Sequence, residues 1–351
     1  MGSDPPRSIL LVRTSAIGDV IMASALIPAL RRTWPDTRIG WLVESVAAPL
    51  LQSNPDLHRL HIWPRGHWRR LWKEGHKGEA IREFRALVKE LRAQRYDIAV
   101  DLQGLLKSGL WTRLSGARRR IGLASREGSQ WLMSEVLQPQ RNDPRIGSEY
   151  RFAGQALGLD VADFPMHIVV SETDKANARK ALSSAGIAGD YAVFCPFTTR
   201  PQKHWFDDRW AALSDPVRER FGLEPVILGG PSDREHADVL RALSGTPATS
   251  LAGRTNLAES AAVIEGASLL VGVDTGLTHL GSAMNIPTLA LFGSTRPYLD
   301  AGVPRTRVLY HPLPCSPCRR RPTCDGRFDC MRAHEVEEIL GQIAEILEAR
   351  T

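Results

Sequence analysis

Long apolar runs are missing from this sequence. The best candidate, residues 20–30, is short and is interrupted by Ser24 and Pro28, whereas a helix that spans a bilayer needs about 18 or more apolar residues. The first six residues, MGSDPP, also lack the apolar region of a secretory signal. We therefore expect no transmembrane helix, and a protein that is made and kept in the cytoplasm.

The fingerprints of tightly bound nucleotide cofactors are missing too. The loop after the first apolar run has neither the G-x-G-x-x-G spacing nor the Walker lysine pattern, which disfavours a firmly held NAD or ATP there. Low-complexity tracts are also absent, and a composition of 43% hydrophobic and 24% charged residues is that of a globular protein. We expect no cofactor. The 351 residues are too many for one ordinary core and suit two domains.

Cysteine is scarce, and four of the five cysteines lie close together, at Cys315, Cys318, Cys324 and Cys330. The cytoplasm disfavours disulfides. A C-x-x-C pair followed by two more cysteines can hold zinc, although the later two lack that spacing. The sequence leaves a structural zinc site and a metal-free tail both open.

Positive charge is unevenly distributed. The formal net charge is +6, and the excess falls in two clusters of the first half: Arg65, Arg69, Arg70, Lys73 and Lys77 in one, and Arg113, Arg118, Arg119, Arg120 and Arg126 in the other. Such patches attract nucleic acid, anionic lipid headgroups or phosphorylated sugars. A solvated surface is the better explanation of any single arginine, but two clusters together favour an anionic partner.

Short apolar runs alternate with helical stripes along the whole chain. Runs typical of strands buried on both faces occur at residues 9–12, 39–43, 98–102, 191–195, 225–228, 269–273 and 288–292. Helical spacing fills intervals at residues 19–32, 79–95, 173–185 and about 334–349, and we expect Pro28 to kink or break the first of these helices. This alternation predicts parallel sheets covered by helices, an α/β fold.

The pattern occurs twice, which predicts two Rossmann-like domains. We place the first at residues 1–165, a linker region at 166–190, the second domain at 191–333 and a final helix at 334–351. Packing of that helix back on the first domain is left open. Because open parallel sheets bind ligands at the carboxyl ends of their strands, we expect the two sheets to face each other across a cleft.

Polar loops follow three of the predicted strands. The first, residues 14–19, contains Gly18, which permits close backbone approach or a positive φ, and Asp19, which could equally cap the next helix. The second, residues 274–279, combines a glycine turn with a helix start, whose free N–H groups suit a diphosphate. There Asp274 and Thr275 could simply cap the helix, and His279 could be packed in the core.

The third loop, residues 198–205, is basic. Lys203 would supply the positive charge that a departing nucleoside diphosphate needs, with Arg200 as a rival for that role. Taken alone, this segment is explained equally well as a basic loop that only faces solvent. The three loops share a position at the carboxyl end of a strand, and this coincidence indicates a binding site.

Four segments together resemble a known family. RTSAIGDV (13–20), DLQGLLKS (101–108), TTRPQKHW (198–205) and VDTGLTHL (273–280) are similar to the lipopolysaccharide heptosyltransferases, glycosyltransferase family 9. The likeness runs from about residue 9 to residue 349, and residues 103–108 are most similar to the heptosyltransferase I branch. It implies a GT-B fold, an inverting mechanism without a catalytic metal, ADP-L-glycero-β-D-manno-heptose as donor, and the Kdo region of lipid A as acceptor.

The resemblance also implies roles for individual residues. Asp19 would be the general base and Lys203 the second catalytic residue. The donor would be bound by Thr198, Thr199, Lys203, Asp233, Asp274, Thr275, Gly276 and His279, with Asp233 standing where the family often has a glutamate facing the ribose. The acceptor would be bound by Ser15, Gly18, Arg65, Arg69, Arg70, Lys73, Gln103 and Lys107.

The basic segment 65–73, which carries Trp68 and Trp72, then has a use. Its Arg and Lys side chains can pair with Kdo carboxylates and lipid A phosphates. We therefore expect peripheral contact with the anionic inner face of the cytoplasmic membrane and no nucleic-acid partner. Heptosyltransferase II or another family 9 donor specificity stays open, as does the donor base, and a nucleotide- or polyanion-binding protein is the alternative outside enzymes.

Overall fold

The computed structural model describes residues 5–139, 143–318 and 321–348. The chain divides into two compact units. The first holds the described residues up to Asp143 together with Gly147–Val169, and the second holds Pro144–Ile146 and the described residues from Val170 onward. Each unit is built on one six-stranded parallel sheet with helices, so the predicted α/β class is confirmed.

The sheet of the first unit has the strand order β3-β2-β1-β4-β5-β6. Its strands are β1 (Ser8–Val12), β2 (Arg38–Glu44), β3 (Arg59–Trp63), β4 (Ile98–Asp101), β5 (Arg119–Leu123) and β6 (Glu135–Leu137). The helices of this unit are α1 (Ile17–Ala23), α2 (Leu26–Thr33), α3 (Pro49–Gln52), α4 (Arg65–Lys73), α5 (Lys77–Ala93), α6 (Leu106–Leu114) and α7 (Ser148–Ala156). Val12 pairs with Leu42 on one side and with Asp101 on the other, so the strands end together at one edge.

The helix predicted over residues 19–32 is in fact two helices. The break lies at Ser24, whose hydroxyl donates a 2.6 Å hydrogen bond to the carbonyl of Ile21. Pro28 falls in the first turn of α2, where a backbone N–H has no intrahelical partner and a proline is tolerated. The proline therefore fits the second helix rather than kinking a single one.

The sheet of the second unit has the order β12-β11-β10-β7-β8-β9. Its strands are β7 (Tyr191–Cys195), β8 (Glu224–Ile227), β9 (Thr249–Ser250), β10 (Leu269–Val273), β11 (Thr288–Phe292) and β12 (Thr306–Tyr310). The helices are α8 (Glu172–Ser184), α9 (Asp207–Phe221), α10 (Arg234–Leu243), α11 (Leu257–Glu265), α12 (Gly276–Ala283), α13 (Asp329–Arg332) and α14 (Val336–Glu348). The strands predicted at 191–195, 269–273 and 288–292 coincide with β7, β10 and β11.

The final helix, α14, belongs to the second unit. Its apolar stripe of Ile339, Leu340, Ile343 and Ile346 is buried in the core of that unit, and the helix packs against α9 and β11. These four residues of the stripe therefore form part of the core of the second unit. Likewise α8 packs against α11, so residues 172–184 form part of the second unit rather than a linker.

No helix within the described ranges is both long and apolar enough to cross a membrane.

Candidate functional site

In the first unit, polar side chains from β1 and β4 meet at the carboxyl edge of the sheet. Gln103 Oε1 accepts hydrogen bonds from the backbone N–H of Thr14, at 3.1 Å, and from its hydroxyl, at 2.7 Å. Gln103 Nε2 and Lys107 Nζ both donate to the hydroxyl of Ser15, at 3.3 and 3.2 Å. Ser15 is therefore in direct contact with two other predicted acceptor residues, which follow it by 88 and 92 positions in the chain.

The turn that presents Gln103 is held by a buried carboxylate. Asp101, the last residue of β4, accepts hydrogen bonds through Oδ1 from the backbone N–H groups of Gln103 and Gly104, both at 3.0 Å. Gly104 has φ +68°, a conformation that glycine adopts at little cost. Its Cβ, if it had one, would lie 2.4 Å from the carbonyl oxygen of Leu123, so only glycine fits this turn.

Asp19 lies in the first turn of α1 and performs part of the capping role. Its Oδ2 accepts a 3.1 Å hydrogen bond from the backbone N–H of Ala16 and forms a 2.6 Å ion pair with Arg13. Arg13 is buried and also donates to the carbonyl of Leu102 at 2.8 Å. Oδ1 of Asp19 accepts no hydrogen bond from the described residues, and the side chain is 33% exposed. One oxygen thus fixes the carboxylate while the other is open to a ligand.

Glu44, at the end of β2, joins the basic residues of this edge. Its Oε1 lies 3.1 Å from Lys107 Nζ and 3.4 Å from Arg65, and the hydroxyl of Thr14 donates to the same oxygen at 3.4 Å. Sequence reasoning missed Glu44. The signal was available, since Glu44 is the first polar residue after the predicted strand 39–43, as Gln103 is after the predicted strand 98–102.

Trp63, at the end of β3, forms an aromatic wall beside these cations. The Arg65 guanidinium and the Lys107 ammonium lie 5.6 and 5.9 Å from its ring centroid, within the range of a cation–π interaction. Its indole N–H is buried without a hydrogen-bond partner among the described residues. The indole N–H of Trp63 is therefore an unpaired donor next to two cations.

The remaining predicted acceptor residues lie elsewhere in the first unit. Arg69, Arg70 and Lys73 are exposed on α4, and in the described structure none of them contacts Glu44 or Ser15. Gly18 lies inside α1 and does not have a positive φ, so backbone strain does not explain a glycine there. Arg65 is the member of the basic segment that reaches the polar edge.

The second unit has a corresponding cluster around Asp274, directly after β10. Lys203 Nζ forms a 2.6 Å ion pair with Oδ2, the hydroxyl of Thr295 donates to the same oxygen, and His279 Nε2 lies 3.4 Å from Oδ1. Thr198 and Lys203 also donate to the Asp274 carbonyl, at 3.5 and 3.4 Å. Three predicted donor residues thus converge on a fourth.

Electrostatics keep this carboxylate charged. Burial alone would raise the pKa of Asp274, but the hydrogen bond and charge of His279 and the charge of Lys203 outweigh it and hold that pKa far below its ordinary range. His279 is itself buried, and its Nδ1 lies 3.0 Å from the hydroxyl of Tyr298. His279 therefore positions Asp274, which in turn fixes the ammonium group of Lys203.

The helix start beside Asp274 is tightly packed. Thr275 is the N-cap of α12 without a side-chain capping bond, and Gly276 begins the helix, so its first N–H groups lack intrahelical partners. The hydroxyl of Thr278 donates to the Val273 carbonyl at 2.6 Å. A Cβ on Gly272 would lie 2.2 Å from that hydroxyl. Glycine at position 272 thus lets the helix start close to the strand.

Thr199 and Asp233 complete the predicted donor set. Thr199 is exposed. Asp233 accepts a 2.7 Å hydrogen bond from the Gly230 N–H through Oδ2 and one from the Ser232 hydroxyl through Oδ1 at 3.4 Å. The carboxylate of Asp233 therefore shapes its own turn, and its contact with a ribose stays a prediction.

The four clustered cysteines are free thiols. Burial, followed by the charges of Cys318, Cys315 and Cys324, raises the pKa of the Cys330 thiol to about 11, so the four side chains lie close enough to interact. Over the described part of the chain, no three of the cysteine sulfurs lie within 4.8 Å of one another. The structural zinc site and the metal-free tail therefore both stay open.

Comparisons with known proteins agree with this description. The family described as glycosyltransferase family 9 (heptosyltransferase) matches residues 84–327. Lipopolysaccharide heptosyltransferase 1 of Pseudomonas aeruginosa is 33% identical over 90% of this chain and 87% of its own length. Lipopolysaccharide heptosyltransferase 3 of Escherichia coli is 28% identical over 79% of this chain and 81% of its length.

A solved structure shares the fold. It is the E. coli heptosyltransferase WaaC with ADP-2-deoxy-2-fluoro heptose, which is 25% identical, with a TM-score of 0.69 over 96% of this chain and 99% of that one. The two parallel sheets described above are accordingly those of a GT-B fold. With the family match over residues 84–327 and the 33% identity to a heptosyltransferase, the chain belongs to glycosyltransferase family 9, the heptosyltransferases.

Proposed function

We propose that this protein transfers L-glycero-D-manno-heptose, with inversion, from ADP-heptose to the Kdo region of lipid A. The observation that carries the proposal is the Asp274–Lys203 ion pair beside the start of α12. It joins a fixed cation to free backbone N–H groups, which together suit a nucleoside diphosphate. The choice of the first heptose step rests on the 33% identity to a heptosyltransferase 1.

On the donor side, Lys203 compensates the charge of the departing diphosphate. An ammonium group has three donors, and Asp274 fixes its position without using all of them. Transition-state charge is stabilised best by groups that are already in place before the reaction. The proposed order is that α12 and Lys203 hold the diphosphate while the sugar–oxygen bond breaks. A binding titration with ADP, UDP and GDP tests the donor base, with ADP expected to bind best.

On the acceptor side, Asp19 accepts the proton of the attacking hydroxyl through Oδ1. Its position at a helix start and its pairing with Arg13 favour the anion and make it a weak base. A weak base suffices if the proton leaves late, after positive charge has developed on the sugar. Nearby, Lys107 and Arg65 are held by Glu44 and are suited to bind the carboxylates of Kdo.

A transfer assay with two acceptors tests the proposed step. Kdo-lipid A and the same molecule already bearing one heptose are each incubated with ADP-heptose. We expect transfer to the unsubstituted acceptor and little to the heptosylated one. The reverse preference would indicate a later heptose step. That step is the main alternative, because a heptosyltransferase 3 is 28% identical to this chain. Donor binding without turnover on either acceptor would support a binding protein instead.

We further propose peripheral contact of α4 with the anionic inner face of the cytoplasmic membrane. Arg69, Arg70 and Lys73 are exposed, and Trp72 is 54% exposed; basic residues near an anionic surface contribute about 1 kcal/mol each. We expect co-sedimentation with phosphatidylglycerol vesicles that falls with added salt and in the variant Arg69→Glu/Arg70→Glu.

Neutral vesicles and the variant Arg82→Glu/Arg85→Glu, whose two arginines lie on the exposed face of α5, are the controls for this measurement. Binding that persists in high salt and after charge reversal on α4 would rule out this surface as the contact.

A further inference from the structure

Three potential metal ligands meet in the second unit, apart from the Asp274 cluster. They are His311 after β12, His334 between α13 and α14, and Glu338 in the first turns of α14. One ligand atom of each lies within 4.8 Å of the others, and His311 Nε2 is 3.1 Å from Glu338 Oε2. Within the described residues, no other group of three histidine, cysteine or carboxylate side chains is this close.

His334 is fully buried, and only one of its two ring nitrogens has a hydrogen-bond partner among the described residues. Its Nε2 lies 2.9 Å from the carbonyl oxygen of Phe292, and because a carbonyl can only accept, Nε2 must be the nitrogen that carries the proton. Nδ1 then has a lone pair, yet no described residue donates to it. Buried polar atoms in folded proteins are nearly always paired, since an unpaired one loses its hydrogen bonds to water without replacement.

This state of His334 is the one that metal-binding histidines adopt. A ligating imidazole usually donates its other N–H to a carbonyl or carboxylate, which fixes both tautomer and ring orientation. Glu338 is four residues further along, in the first turn of α14, whereas His334 lies just before that helix. His311 is one-third exposed, which leaves a route from solvent.

We propose that His311, His334 and Glu338 bind one divalent transition-metal ion of the zinc class. Two imidazoles and one carboxylate form a set that zinc takes with a fourth position left to water, whereas magnesium and calcium prefer sites made wholly of oxygen. The role we assign is structural. Through Glu338 on α14 and the His334–Phe292 hydrogen bond, the ion would fasten α14 to the end of β11. Thr295, which donates to Asp274, follows Phe292 by three residues.

Metal titration of the full chain tests this site. After treatment with a chelator, the protein is titrated with Zn²⁺ and Mg²⁺ by calorimetry, and bound metal is measured by elemental analysis. We expect one Zn²⁺ per chain, little Mg²⁺, and a Zn²⁺ affinity at least about tenfold lower in His311→Ala and in Glu338→Gln, because loss even of outer-shell partners costs about 10–100-fold. Both substituted side chains are about one-third exposed, so these variants should fold.

The matched control is His67→Ala. His67 forms a similar contact with Glu83, at 3.3 Å, without a third ligand in the described chain, and its loss should leave Zn²⁺ affinity unchanged. Substitution with Co²⁺ separates this site from the cysteines, since only thiolate ligands give an intense ultraviolet charge-transfer band. Unchanged Zn²⁺ affinity in both ligand variants, or a thiolate band that disappears in Cys318→Ser, would overturn the proposal.

Discussion

Asp19→Asn is expected to lower the turnover of heptosyl transfer by about 10²–10⁴-fold, the usual contribution of a general base, while ADP-heptose binds with unchanged affinity. The amide oxygen of asparagine can still accept from the Ala16 N–H, as the carboxylate does at 3.1 Å. The variant therefore removes the proton acceptor while keeping the turn. Single-turnover kinetics and a donor titration measure the two quantities separately.

Asp36→Asn is the control for this experiment, because Asp36 is an exposed carboxylate of the same unit and has no part in the proposed chemistry. Thermal unfolding of Asp19→Asn checks that loss of the 2.6 Å pair with Arg13 has not unfolded the first unit. A folded Asp19→Asn variant with turnover near that of the wild type would remove Asp19 from the mechanism and leave it as a helix cap.

Lys203→Gln is expected to lower turnover by about 10²–10³-fold, the cost of losing one preorganised group that stabilises transition-state charge. Arg200→Gln is the matched control, since Arg200 lies in the same basic loop and was the rival for this role. We expect it to have a much smaller effect. A larger loss in Arg200→Gln than in Lys203→Gln would transfer the role to Arg200.

The same substitution should change the response to acid. Asp274 has a pKa depressed in the folded state, so the stability it contributes is fully present above the unfolded-state value of about 4 and is lost as pH falls through the lower folded-state value. Without Lys203 the folded-state pKa of Asp274 rises toward the unfolded-state value. The ionised carboxylate then contributes less to the stability of the folded protein. We therefore expect acid unfolding of Lys203→Gln to begin at a higher pH, measured by circular dichroism. An unchanged midpoint pH of acid unfolding would show that His279 alone is enough to keep the pKa of Asp274 low.

The central strands were predictable because burial on both faces requires a continuous apolar run. β7, β10 and β11 follow this rule and coincide with their predicted bounds. β3 and β12 do not, since each is only partly buried and mixes polar with apolar residues. Their sequences carry no signal that distinguishes them from loops, and only pairing with β2 and β11 makes them strands.

The candidate site was predictable in part for a similar reason. Residues that follow a central strand, such as Asp274, are located by the strand itself. Contacts between distant segments are not, and neither the Glu44 contacts with Arg65 and Lys107 nor the Thr295 bond to Asp274 was predicted. The residues in these contacts also lie at or after the ends of strands. Which of their side chains come into contact, however, depends on tertiary packing. Gln103 and Lys107 were found through the family resemblance rather than through their own chemistry.

The most direct test of the proposed transfer is a mass balance on the wild-type protein with ADP-heptose and Kdo-lipid A. ADP release is followed enzymatically, and the heptosylated lipid is quantified by mass spectrometry in the same samples. We expect one ADP for each heptosylated acceptor, and negligible ADP when the acceptor is left out. Binding of ADP-heptose with neither product formed, or ADP release without heptosylated lipid, would contradict the account.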